Sequence, residues 1–145
     1  MLQDRPQPAS VGEPHIYSGN GPLLIFYATS DERVAAVEFA VCNQLLYGYP
    51  NDEALGAHPL YAKGLKYYSV HRVEGSSRLC ELERANAVHP RHDRDAFLRE
   101  KEHYVFTFQD ATLECLVTTG ARFPPRFRVF SSAAEANAAF GRNVA

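Results

Sequence analysis

The chain has 145 residues, of which 46% are hydrophobic and 22% charged, with a net charge of −2. A chain of this length suits one domain with a single core. The charge balance excludes the one-sided positive field that nucleic acid or an anionic membrane would need, and no run approaches the roughly 18 apolar residues of a membrane span.

Residues 1–21 contain Pro6, Pro8, Pro14, Gly12, Gly19 and Gly21 and few apolar side chains. Such a segment cannot repay its ordering entropy by burial, so it reads as a disordered N-terminal arm ahead of a single α+β domain over residues 22–145. No apolar leader follows Met1, and the three cysteines Cys42, Cys80 and Cys115 are an odd number without metal-type spacing. They read as small buried hydrophobes in a reducing compartment, and the expected location is the cytoplasm.

The fold is expected to begin with a buried strand over Leu23–Tyr27, followed after Ser30-Asp31-Glu32 by a second strand. In that strand Ala35, Val37, Phe39 and Val41 share one face, and Glu38 and Gln44 the other. Asn51 is placed to cap one helical turn carrying Asp52 and Glu53, with Gly56 ending it, and Pro59 forces extended backbone at His58. A strand is expected over Tyr67–Val73, then a helix from Arg78 to Val88 capped by Ser77, and a shorter one from Arg94 to Lys101 capped by Asp93.

The clearest pattern is a hairpin around Asp110-Ala111. Its alternation sends Tyr104, Phe106, Phe108, Leu113, Cys115 and Val117 to one face, and His103, Val105, Thr107, Glu114 and Leu116 to the other. A two-residue turn would set Thr107 opposite Glu114. A last strand over Phe127–Phe130 leads to a capping box, Ser132-x-x-Glu135, and a helix closed by Gly141. The sum is an α+β fold: a mostly antiparallel sheet of five to six strands with two to four helices.

Glycine-rich dinucleotide and phosphate loops, the G-x-S-x-G elbow and H-E-x-x-H are all missing, so the sequence argues against the commonest enzyme classes built on them. What stands out is histidine. Five of the six lie between positions 58 and 103: His58, His71, His89, His92 and His103. His89-Pro90-Arg91-His92 has an H-x-x-H spacing that could join His103 or Glu114 around a divalent metal, but Pro90 prevents a regular helix from presenting both rings on one face. The bland alternative makes His89 a helix-end residue and His92 a solvated one.

A second grouping is acid–base. His103 and Glu114 share a hairpin face, which His58 could approach from its loop, and a histidine oriented by a carboxylate is the usual machinery of proton transfer. Against this stands Glu114 paired with a surface cation. The third is the loop Asn51–Tyr61, whose Asn51, Asp52, Glu53 and Tyr61 could contact a ligand or could simply build a well-capped turn. Cys115, on the aromatic face, is expected to be inert because desolvation raises a thiol's pKa.

The segments G-Y-P-N-D-E-A-L-x-x-H-P-L-Y (Gly48–Tyr61), N-x-V-H-P (Asn86–Pro90) and H-Y-x-F-T-F-x-D-x-x-x-E-C (His103–Cys115) resemble a family of small uncharacterised bacterial proteins. That resemblance implies no activity and carries over no site residue. The leading expectation is a small-molecule-binding domain, with a cofactor-free enzyme as its catalytic form, in which His58, His103 and Glu114 are the acid–base groups. Asn51, Asp52, Glu53, Tyr61 and His89 would line its ligand site. The rivals are an interaction module or homo-oligomer using a strand edge, Leu23–Tyr27 or Phe127–Phe130, and a divalent-metal protein.

Overall fold

The computed structural model describes residues 1–141. Its strands are β1 (His15–Tyr17), β2 (Leu23–Ala28), β3 (Val34–Phe39), β4 (Val41–Gly48), β5 (Val70–Arg72), β6 (Lys101–Thr107), β7 (Thr112–Thr118) and β8 (Arg126–Phe130). They form two four-stranded sheets, ordered β1-β2-β3-β8 and β4-β7-β6-β5, with every neighbouring pair antiparallel. The α+β class holds, but the strands number eight in two sheets where five to six in one sheet were expected. The main reason lies at Ala40. The run expected as one strand is two: β3 ends at Phe39 in the first sheet and β4 starts at Val41 in the second. Strand β4 meets the same core through Cys42 and Leu45, so the alternation expected to carry Val41 onto the face of Phe39 is reset at the change of sheet, and Val41 pairs with Thr118 on the opposite face.

The core lies between the sheets. Leu23, Ile25 and Tyr27 of β2 and Ala35, Val37 and Phe39 of β3 meet Val70, Tyr104, Phe106, Phe108, Leu113, Cys115 and Val117. Aromatic rings cross the layer, Phe39 against Tyr104 at 4.9 Å and Tyr27 against Phe108 at 5.6 Å. Each large side chain buried here contributes roughly 1.5–3 kcal/mol. Within β6–β7 the pairing is Thr107 with Thr112 and Val105 with Glu114, two residues from the register expected of a two-residue turn. The turn is longer: Phe108 N–H donates to the Ala111 carbonyl (2.9 Å). A shift by an even number leaves each side chain on its face, so the expected inner and outer sets both survive.

Helix α1 (Ser77–Asn86) begins one residue earlier than expected, with Ser76 as its cap; α2 (Arg94–Arg99) is capped by Asp93 as read. Helix α3 (Ala133–Phe140), capped by Ser132, lays Phe140 over Phe26 on the outer face of the first sheet. It stops at Gly141, whose φ of 62° is the left-handed conformation glycine adopts without strain. The outer face of the second sheet is covered by α1 and by two 3-10 turns, Asp52–Ala57 and Tyr61–Lys63; Leu55 and Leu65 pack on Val105 there.

Residues 1–21 differ from the disordered arm expected of them. Pro8 bridges Thr29, Leu2 N–H donates to Val70 O (2.9 Å), and the Gln7 side chain accepts from Val70 N–H (3.0 Å). With β1 added to β2, main-chain hydrogen bonds to two sheet edges supply what the sparse apolar content of the segment could not.

Candidate functional site

Across the outer face of the second sheet, strand register sets His71, Val105, Glu114 and Leu46 side by side, one from each strand. His103 stands next but one to Val105 on β6, so period-two geometry gives it the same face as Glu114. The 3-10 turn capped by Asn51 ends at His58, held extended before Pro59 as its sequence demands (ψ 134°). This directs the imidazole down onto the sheet.

The result is one hydrogen-bonded chain. His103 Nε2–H donates to Glu114 Oε1 (2.9 Å), and His58 Nε2–H donates to Glu114 Oε2 (3.0 Å). Leu60 N–H donates to His58 Nδ1 (3.0 Å), which assigns that ring's hydrogen to Nε2. On the far side of His103, the Ser76 hydroxyl donates to Nδ1 (2.7 Å) while Ser76 Oγ accepts Leu79 N–H (3.1 Å) as the cap of α1. Arg78, in the first turn of α1, brings Nη1 to 3.7 Å from Glu114 Oε2. Exposure is 2% at His103, 5% at Ser76, 7% at His58 and 9% at Glu114, so water screens these interactions little.

Burial is the largest influence on the Glu114 carboxyl and raises its pKa. The hydrogen bonds from His103 and His58, with their positive charge when protonated, outweigh it and bring the value down to about 2. His71, its ring between Lys66 N–H (3.0 Å to Nε2) and the Val105 carbonyl (3.4 Å from Nδ1), is lowered to about 4, chiefly by burial. Burial pushes the Cys115 thiol well above its ordinary range, as expected for an inert core cysteine.

Ser76 also borders a groove of about 490 Å³ between the β5–α1 turn and the α2–β6 junction. Val73, Leu79 and Leu98 supply apolar wall and Arg99 brings positive charge, while Arg72 is occupied by the lining carboxylates Glu74 (3.1 Å) and Glu102 (3.9 Å) and Lys101 by the Phe97 ring (4.2 Å) and Thr118 (3.3 Å). This volume is in the range of small-molecule sites. The hydrogen-bond chain therefore runs from the groove wall through an imidazole to a buried carboxylate, with every donor oriented towards Glu114. Such a chain can accept a proton at His103 Nδ1 and stabilise the resulting cation through Glu114.

His58, His103 and Glu114 thus meet in one cluster. His89 is exposed on the α1–α2 connection and accepts Arg91 N–H (3.1 Å). Asn51 is occupied as a cap, accepting Ala54 N–H (3.1 Å), and Asp52 accepts the Tyr68 hydroxyl (2.6 Å). Glu53 faces solvent, Tyr61 packs edge-on to Tyr67 (6.2 Å), and none of these five residues borders the groove. The metal set is divided as well. His92 engages Glu83 (2.8 Å) and Asn86 (2.9 Å), while His103 is occupied by Glu114 and Ser76. Among the described residues no group of three or more His, Cys, Asp or Glu is arranged to hold an ion.

Ser76 was missed by sequence reasoning, which gave the cap to its neighbour Ser77. The signal was present in Gly75-Ser76, where a glycine at φ 59° turns the chain immediately before the cap. Glu83 was missed too, because its partner His92 lies beyond the end of the helix that carries it. No helix among the described residues is long and apolar enough to cross a membrane. Comparison with protein-family models, curated proteins and solved structures finds no match to this chain.

Proposed function

We propose that the chain is a small-molecule-binding domain acting as a cofactor-free enzyme through histidine–carboxylate acid–base chemistry. His103 is the proton-transfer group, Glu114 orients it, and His58 holds Glu114 from the other side. The observation carrying this reading is the continuity of the Ser76–His103–Glu114–His58 chain with the groove wall, since a buried ionic cluster that served stability alone would have no need of a cavity at its end. A titration of labelled protein with a library of small polar fragments, followed by amide chemical shifts, tests it. Shifts are expected at Gly75, Ser76, Leu79, Cys80, Leu98 and Lys101. Fragment binding confined to other surfaces, or none at millimolar concentrations, would overturn the reading.

A second reading, self-association, rests on the edge strand β4. Its eight residues, Val41–Gly48, include no charged side chain, while Leu46 is 50% and Tyr47 43% exposed. Edges that avoid pairing are usually guarded by charge, and an uncharged edge is compatible with an antiparallel copy of itself. The edges expected from sequence fit less well: β2 is interior to its sheet, and β8 carries Arg126 and Arg128. Light scattering is expected to give a dimer that Leu46→Lys converts to monomer. A wild-type monomer at all concentrations would exclude this reading.

A further inference from the structure

We infer that Ser76 is the nucleophile of an acyl-transfer reaction on small carboxylic esters bound in the groove. The inference rests on the acid–base reading above and names its substrate class. Three observations carry it. A serine needs only its acceptor function to cap a helix, and Leu79 N–H takes that function; here the hydroxyl hydrogen is also engaged, by His103 Nδ1 at 2.7 Å. That imidazole is itself held by Glu114 at 2.9 Å, which meets the geometric requirement for an activated hydroxyl: nucleophile, base and orienting group in sequence. The ring nitrogens are exchanged relative to serine hydrolases, Nδ1 facing the hydroxyl and Nε2 the carboxylate, but each performs the same proton task. Finally, Ser76 stands where α1 begins, so the main-chain N–H groups of Ser77 and Arg78 have no acceptor within the helix. Such groups are suited to an oxygen that becomes negative during acyl transfer.

The steps balance without a further reagent beyond water. Ser76 Oγ forms a bond to the ester carbonyl carbon as its proton passes to His103 Nδ1. The bond from that carbon to the alkoxy oxygen breaks, and the leaving alkoxide takes the proton from Nδ1 and departs as the alcohol. Water then attacks the acyl-serine, giving its proton to Nδ1; the bond from the carbon to Oγ breaks, and Oγ recovers the proton as the carboxylic acid leaves. Glu114 keeps its charge throughout and stabilises the imidazolium. Val73, Leu79 and Leu98 in the lining fit a short apolar acyl chain, and Arg99 favours a polar substituent.

The test uses p-nitrophenyl acetate and a fluorophosphonate on the whole chain. A single phosphonyl adduct is expected on Ser76 by peptide mass spectrometry, with ester hydrolysis above the buffer rate. His103→Gln should reduce both rates by about 100-fold or more, the scale of a lost general base. Ser76→Asn retains a good cap while removing the nucleophile, so it should fold, by circular dichroism, and lose labelling. His92→Gln, altering the other histidine–carboxylate pair, should leave both rates unchanged. Absence of the Ser76 adduct in folded protein, or undiminished labelling in His103→Gln, would overturn the inference. If fragments still bind the groove in that case, the broader small-molecule reading survives; if they do not, both fall.

Discussion

Two buried glutamates receive a histidine N–H in this protein, and they differ in what lies behind the histidine. Glu114 stands on β7, in the middle of a sheet, and accepts from both His103 and His58; behind His103 is the hydroxyl of Ser76, a residue that lines a groove. Glu83 stands on α1 and accepts from His92 (2.8 Å), behind which is the Asn86 amide (2.9 Å), with the exposed Arg94 3.8 Å from the other oxygen. An amide can fix a ring but has no proton to surrender at neutral pH. The Glu83 group therefore serves to join α1 to the α2 connection, where His92 also packs on Phe97 (5.7 Å). Burial and pairing alone do not distinguish the two sites; the identity of the third group does.

The largest difference is expected in stability. Glu114→Gln leaves two buried imidazole N–H groups competing for one amide oxygen and should cost about 3–5 kcal/mol, the scale of a broken buried pair. Glu83→Gln, with one histidine N–H to satisfy where Glu114 has two, should cost only about 1–2 kcal/mol. Urea denaturation at pH 7 measures both, and equal losses would erase the difference between the two sites.

Acid should act mainly on the Glu114 side of the molecule. His71, in register beside Val105 on that face, has its folded pKa lowered from 6.5 to about 4. A depressed histidine contributes stability in full above about pH 6.5 and loses it as the pH falls towards 4, a change on the order of 3 kcal/mol. Glu114, lowered from 4.5 to about 2, acts in the next window: its contribution is complete above about pH 4.5 and is lost as the pH falls towards 2. Denaturation midpoints should therefore drop between pH 7 and pH 4, and His71→Gln should flatten that limb while leaving the steeper loss below pH 4. An unchanged upper limb in His71→Gln would assign the acid sensitivity to another group.

Much of this was legible residue by residue. The alternation in 103–118 placed His103 and Glu114 together on the face opposite the aromatic core, and the two-residue error in register did no harm because strand geometry repeats every two residues. Asn51, Asp93 and Ser132 were readable as caps because a cap is a local contact between a side chain and an amide two or three residues on. His58-Pro59 announced its extended backbone for the same local reason. The ligand role given to Asn51, Asp52, Glu53, Tyr61 and His89 depended on which surface is concave, and no local rule carries that information.

The sequence by itself thus determined the α+β class, most element positions and the facing of the hairpin, all set by backbone sterics and periodicity within a few residues. Tertiary structure decided that the alternating run is split at Ala40 between two sheets, and that residues 1–21 are tied to sheet edges. It also brought His58 to Glu114 across 56 positions and Ser76 to His103 across 27. Those choices turn on which sheet, edge and imidazole satisfy hydrogen bonds far along the chain. That is a property of the packed whole, and the candidate site exists only there.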